Sequence, residues 1–237
     1  MRRAFLRRRR TLAGIFLFLA LEPWAFAQFS WQVGVKGGIP LTDALVTSSR
    51  FLSIDQLRPS DIFFSNTKRY TVGPSVELGL PRRLAVEFDA LYKRLDYNGM
   101  VVASVGPNQF GTRIQTIGTA NSWEFPLLLK ARSAGRQLKI FGDLGVSFHR
   151  VSASAQVTNF VFSTGTTTIT KTGSPAELRD PFNAGFVLGG GLEFRVPFLR
   201  ISPEVRYTHW GSKNFQESNG LLRTNWNQAD FLLGITF

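Results

Sequence analysis

Cysteine is absent from this 237-residue chain. That excludes disulfide staples, thiolate metal sites and a lipidated N-terminal cysteine. Histidine is scarce: His149 and His209 are the only two, and no His/Asp/Glu group shows metal-ligand spacing. Beyond residue 27 no run of about 18 apolar residues occurs, so no membrane-crossing helix is expected. An exported chain without disulfides must be held by a core or by closure on itself. The most consequential absence is local. In eight stretches of alternating apolar and polar residues, one of the two faces carries no Asp, Glu, Lys or Arg within the band that would cross a membrane.

The first 27 residues read as a secretory signal rather than as part of the fold. Arg2, Arg3 and Arg7 to Arg10 form a basic segment, Leu12 to Leu21 an apolar one, and Ala25-Phe26-Ala27 a small-x-small cleavage site, so the mature domain is expected over 28–237, starting at Gln28. The alternative, an anchoring helix, is too short for about 30 Å of hydrocarbon. Arg2-Arg3-Ala4-Phe5-Leu6 also resembles a twin-arginine signal. Of the 28 basic and 16 acidic residues, six arginines and Glu22 lie in this segment, which leaves 22 against 15, a net +7. Much of the basic excess therefore leaves with the signal, and a nucleic-acid partner is not expected.

Successive side chains of a strand point to opposite faces. On that rule the eight stretches are 29–38, 70–79, 84–97, 122–132, 137–151, 183–195, 199–210 and a last one ending at Phe237. The apolar faces include Trp31, Val33 and Val35; Tyr70, Val72, Val76 and Leu78; Leu84, Val86, Phe88 and Tyr92; and Trp123, Phe125, Leu127 and Leu129. They continue with Leu138, Ile140, Leu144, Val146 and Phe148; Phe186, Leu188, Leu192 and Phe194; Ile201, Val205 and Tyr207; and Phe231, Leu233, Ile235 and Phe237. The opposite faces hold Glu77, Glu87, Asp89, Glu124, Asp143, Glu193, Glu204 and Asp230, with Lys36, Lys93, Lys130, Arg132, Lys139, Arg200 and Arg206.

Connections alternate in length. Pro40 to Arg69, Asn98 to Ala120 (which reads as strand extensions around Gly106-Pro107-Asn108), Ser152 to Pro181 and Gly211 to Trp226 are long; Leu80-Pro81-Arg82-Arg83, Ser133-Ala134-Gly135-Arg136 and Val196-Pro197-Phe198 are tight turns. Within the third long segment, Val157 to Phe162 and Thr166 to Thr170 flank Thr164-Gly165 as a hairpin; a ten-stranded count follows only if that hairpin crosses the membrane. Short turns on one side, long loops on the other and an even strand count are the pattern of outer-membrane barrels. A lysine or arginine facing mid-bilayer lipid costs about 2–4 kcal/mol, which accounts for the uncharged face. The fold class expected is all-β: an eight-stranded antiparallel up-and-down barrel with its apolar face toward lipid. A soluble sandwich or lipocalin-like barrel would reverse the faces. An eight-stranded interior is just wide enough for side chains to fill, so the near-balanced charges are expected to pair across it. Such a barrel cannot fold in the cytoplasm, which favours the general secretory route over the twin-arginine one.

Trp123-Glu124-Phe125-Pro126-Leu127-Leu128-Leu129-Lys130, Gly189-Gly190-Gly191-Leu192-Glu193 and Ser202-Pro203-Glu204-Val205-Arg206-Tyr207-Thr208 resemble the bacterial outer-membrane β-barrel domain family, the PorT-like relatives of OmpA and OmpX. The resemblance covers essentially 28–237 and implies the fold, while saying little about activity. The alternating stretch Phe231, Leu233, Ile235, Phe237 looks like the signal read by the barrel-assembly machinery.

Little suggests catalysis. Outer-membrane lipid A deacylases place a histidine and a serine on one strand, but His209 and Ser212 differ by three residues, which in a straight strand puts them on opposite faces. Gly189-Gly190-Gly191 is not a phosphate loop, since no helix follows. No cofactor is expected. Outside the lumen face, 15 basic residues oppose seven acidic ones; Arg50, Arg58, Lys68, Arg69, Arg113, Arg150, Arg179 and Arg223 fall in or near the long loops, where outer-leaflet lipopolysaccharide phosphates are expected to attract them. The expectation is a non-enzymatic outer-membrane barrel acting through its loops. A narrow channel for ions or small solutes and a lipid A-modifying enzyme are the alternatives.

Overall fold

Period-two alternation leaves the extended backbone as the one conformation that keeps all apolar side chains on one side. In the computed structural model, which describes residues 29–51, 60–105, 110–162, 166–216 and 221–237, each alternating stretch is a strand. These are β1 (Ser30–Pro40), β2 (Thr71–Gly79), β3 (Leu84–Asp89 continuing as Leu91–Val105), β4 (Phe110–Arg132), β5 (Leu138–Phe162), β6 (Phe182–Val196), β7 (Leu199–Trp210) and β8 (Asn227–Thr236). The 1–27 segment with Gln28, Arg58, Gly106-Pro107-Asn108 and Thr164-Gly165 lie outside the described residues.

Every strand pairs antiparallel with its neighbours in sequence. The ring then closes: β1 pairs with β8, from Gly34 opposite Thr236 to Pro40 opposite Asp230. Closure removes both sheet edges, the requirement for a sheet in lipid. The interruption of β3 at Ala90 has a local cause. Pro74 of β2 lies opposite Ala90 and accepts its N–H at 3.0 Å, and Pro126 of β4 holds the adjacent rung beside Asp89. Neither proline has an N–H to return to the ladder.

The connections at one end are short. The β2–β3 turn is a single 3-10 turn at Pro81–Arg83, with Arg82 at φ 62° and Arg83 at φ 66°. Two successive left-handed residues are what a primed hairpin turn needs, and Asn-Gly is the usual pair. Arginine in that region costs roughly 1–2 kcal/mol per residue.

At the other end the structure is longer than a membrane crossing requires. β3 runs 13 residues beyond Tyr92, and β4 and β5 keep pace with it through unbroken pairing. The hairpin strand Thr166–Gly173 adds to β5. The segment read from sequence as a polar loop over Pro40 to Arg69 instead holds three short strands, Leu45–Thr47, Ser49–Phe51 and Ser60–Ser65. Ser60–Ser65 pairs with β3 and Ser49–Phe51 pairs with it in turn, while Leu45–Thr47 pairs with Leu222–Thr224 of the β7–β8 connection. The outcome is an open six-stranded sheet standing on one side of the ring. Under it lies a buried apolar cluster of Leu45, Phe63, Leu95, Tyr97, Phe215 and Leu222 with their neighbours. Loop residues fold over the barrel end to build it.

Candidate functional site

The two faces of the ring separate by polarity. Outside are Trp31, Val33, Leu127, Leu144, Leu188, Val205, Leu233 and Phe237, all exposed, with Phe125 and Ile235 partly covered. Inside, Glu87, Asp143 and Glu204 are each at most 2% exposed. Outward aromatic rings gather at both ends of the apolar band. Tyr70, Tyr92 and Trp123 touch in sequence toward the long-loop end. Trp31 and Phe198 stand out at the short-turn end, 70% and 89% exposed. Aromatic girdles flanking an apolar band mark the two interfaces of a membrane-crossing barrel.

The interior charges occupy three levels. Nearest the short turns, Arg132 reaches Glu77 and, at 2.6 Å, Glu193; Lys139 lies 3.6 Å from Glu193, and Arg200 lies 3.5 Å from each of the two carboxylates. At mid-height Lys36 contacts Glu87, Asp89 at 3.3 Å and Glu204 at 2.8 Å. Arg206 contacts Glu87 at 3.2 Å, Asp89 at 2.9 Å and Glu204 at 2.6 Å, and Lys130 contacts Glu87. Nearest the long loops, Lys93 bridges Glu124 at 3.0 Å and Asp230 at 2.9 Å. At Gly234 a Cβ would press on the Ser202 hydroxyl at 2.7 Å and lie in ordinary contact with the Lys36 stem. Asp143 departs from the expectation that every interior charge pairs: neither carboxylate oxygen has a hydrogen-bond partner among the described residues. It packs against Gly189, where a Cβ would collide with the carboxylate.

Parity assigned these side chains to one face and left their partners open. It also missed the apolar members of the interior, Leu91, Leu95, Phe141, Val187, Trp210 and Leu232, all buried. Their inward parity was a usable signal for all six. For Phe63 and Phe215, which come from connections, no periodicity was available.

The two histidines stand apart. His149 is buried, 2.5 Å from Ser122 Oγ, with its ring tilted against Trp210 at 4.8 Å between centroids. His209 faces outward and pairs with Asn227 at 2.7 Å, while Ser212 bonds to Asn183. His209 and Ser212 thus have separate partners, as their spacing required. Above the ring, Tyr97 donates to Glu177 at 3.2 Å. Burial, reinforced by that carboxylate, pushes its phenol above the usual range.

A closed antiparallel ring, apolar outside between aromatic girdles and ionised inside, defines an outer-membrane β-barrel, and the protein resides in the outer membrane. The chain belongs to the outer membrane protein beta-barrel domain family, whose model matches residues 26–211. Among solved structures it is similar to Neisserial surface protein A (NspA), with 12% identity, a TM-score of 0.39, and coverage of 88% of this chain and 97% of that one. It is also similar to Ail, the attachment invasion locus protein of Yersinia pestis, solved in complex with the heparin analogue sucrose octasulfate, with 10% identity, a TM-score of 0.34, and coverage of 88% and 99%. No curated protein matches the chain.

Proposed function

We propose that this barrel is a non-enzymatic surface protein whose lumen is closed and whose extracellular sheet makes its contacts. The observation that carries the reading is the six-stranded sheet. Thirteen residues of β3 beyond Tyr92 amount to roughly 40 Å of strand, at about 3.3 Å per residue, far more than crossing demands. An edge strand with unpaired backbone groups is available to pair with another chain, and Thr166–Gly173 presents such an edge among the described residues.

The course of the ion pairs supports the closed lumen. Lys36 on β1 meets carboxylates of β3 and β7, and Lys93 on β3 meets Asp230 on β8, so the contacts span the ring. The apolar cluster lies over them at the extracellular end. Planar-bilayer recordings of the purified protein are expected to show no steady unitary conductance. Reproducible channels would replace this reading with the narrow-channel one.

The same reading places lipopolysaccharide against the outer rim. Arg94 and Arg150 are exposed on the outward face one step beyond Tyr92 and Phe148, with Arg150 directly across the ladder from Trp123 and over the Phe182 ring at 5.3 Å. Lys68 and Arg69 are exposed beside Tyr70. This is the level of headgroup phosphates, which guanidinium groups bind in a two-pronged fashion. R94Q/R150Q is expected to lower co-purification of lipopolysaccharide several-fold without changing the heat-modifiable gel mobility of the folded barrel. Unchanged lipopolysaccharide content would remove the rim from the account. The apolar face of β8 with Phe231, Leu233, Ile235 and Phe237 is, on this reading, the segment that the barrel-assembly machinery engages.

A further inference from the structure

We propose that the periplasmic mouth of the barrel is a binding site for phosphate groups. The β2–β3 and β4–β5 turns and the adjoining strand ends, including Arg195 and Arg200 of β6 and β7, enclose a cup of about 740 Å³ that opens to the periplasm. Six basic side chains line it: Arg83, Arg132, Arg136, Lys139, Arg195 and Arg200. Two carboxylates answer them. Glu77 and Glu193 take up Arg132, Lys139 and Arg200. Arg83, Arg136 and Arg195 form no ion pair among the described residues, and each comes from a different turn region: β2–β3, β4–β5 and the end of β6 before β7.

Three guanidinium groups on one concave wall favour phosphate over carboxylate. Each presents paired N–H donors in a planar fork. A carboxylate offers two oxygens, while a phosphate ester or pyrophosphate offers three or more and accommodates donors from several directions at once. The β2–β3 turn gives a second, independent observation. Arg82 and Arg83 are held at φ 62° and 66°, where a hairpin of this kind takes Asn-Gly without strain. Of the two, Arg83 lines the cup, and a strained residue kept at a concave, charged mouth points to use rather than to folding. The phosphate has two possible sources on this side of the membrane, the headgroup of a periplasmic-leaflet phospholipid or a free phosphate compound.

The test uses the full mature barrel in maltoside micelles, which contain no phosphate, and titrates inorganic pyrophosphate by calorimetry at fixed ionic strength. Saturable binding is expected, with a raised thermal midpoint. R83Q/R136Q/R195Q is expected to weaken binding at least tenfold, and Lys171→Gln on the extracellular hairpin to leave it unchanged. R82N/R83G separates recognition from folding, because this turn suits its geometry better: it is expected to melt no lower than the parent and still to bind several-fold more weakly. In a second arm, native mass spectrometry compares retention of phosphatidic acid with that of phosphatidylcholine. Selective retention of phosphatidic acid that depends on the three arginines, with or without pyrophosphate binding, supports the site and assigns it to headgroups. Pyrophosphate binding alone supports it and assigns a free phosphate. Pyrophosphate affinity unchanged in the triple variant, or matched by acetate, overturns the proposal, as does the lack of both kinds of binding.

Discussion

Lys36→Met is expected to destabilise the folded barrel by about 3–5 kcal/mol, the cost of stripping a buried charge cluster of one partner. The Lys36 ammonium is 2% exposed and sits among Glu87, Asp89 and Glu204. Without it, Arg206 and Lys130 are left to hold these three carboxylates, in an interior that screens charge far less than water does. Equilibrium urea unfolding in phosphatidylcholine vesicles measures the loss. A second variant identifies its origin. Adding Glu204→Gln to Lys36→Met removes one of the abandoned charges while keeping its shape, and is expected to recover part of the stability, because deleting both partners costs less than orphaning one. A loss for Lys36→Met below about 1 kcal/mol, the range of exposed ion pairs, would mean that water reaches the cluster and that the lumen is open.

Leu144→Arg tests the other face and is expected to cost about 2–4 kcal/mol in the same vesicles. Leu144 lies in the middle of the apolar stretch of β5, between Leu129 of β4 and Leu188 of β6, and is 52% exposed. What it is exposed to decides the outcome. A half-exposed leucine in water tolerates arginine within about 0.5 kcal/mol, whereas at the bilayer midplane the guanidinium must drag water or headgroups into hydrocarbon. A near-neutral result would place this face in water and refute the membrane assignment. The two substitutions probe opposite sides of one wall, at sites too far apart to share a contact partner, so their effects are expected to add.

Parity alone sets which face of the wall each side chain takes. In β5, Leu138, Ile140, Leu144, Val146 and Phe148 share one face, and Asp143 and His149 share the other. A register slip by one residue would carry Asp143 into lipid, so the sequence specifies the ladder strongly within the band. Beyond the band the same constraint lapses. Water wets both faces there, alternation carries less penalty, and the extent of β3 to β5 depends on strand-to-strand pairing. The end of the fifth stretch at Val151 marked the edge of the apolar pattern, and the strand itself continues to Phe162.

Residue patterning by itself determined the strand order, the inward and outward faces, the alternation of short and long connections and the residence of the chain in the outer membrane. Those are local properties, fixed by a period of two and by the incompatibility of charge with hydrocarbon. Only the tertiary structure decided which charges meet. Lys36 finds Glu87 across 51 residues of chain and Glu204 across 168, the first because the wall curves from β1 to β3 and the second because the barrel closes β1 onto β8 beside β7. It also decided that residues of the connections pack with Leu95 and Tyr97 into an apolar cluster, that Asp143 has no hydrogen-bond partner among the described residues, and that Arg83, Arg136 and Arg195, without an ion pair among the described residues, line one cup. None of these has a sequence period, because each depends on where the curved wall brings distant residues together.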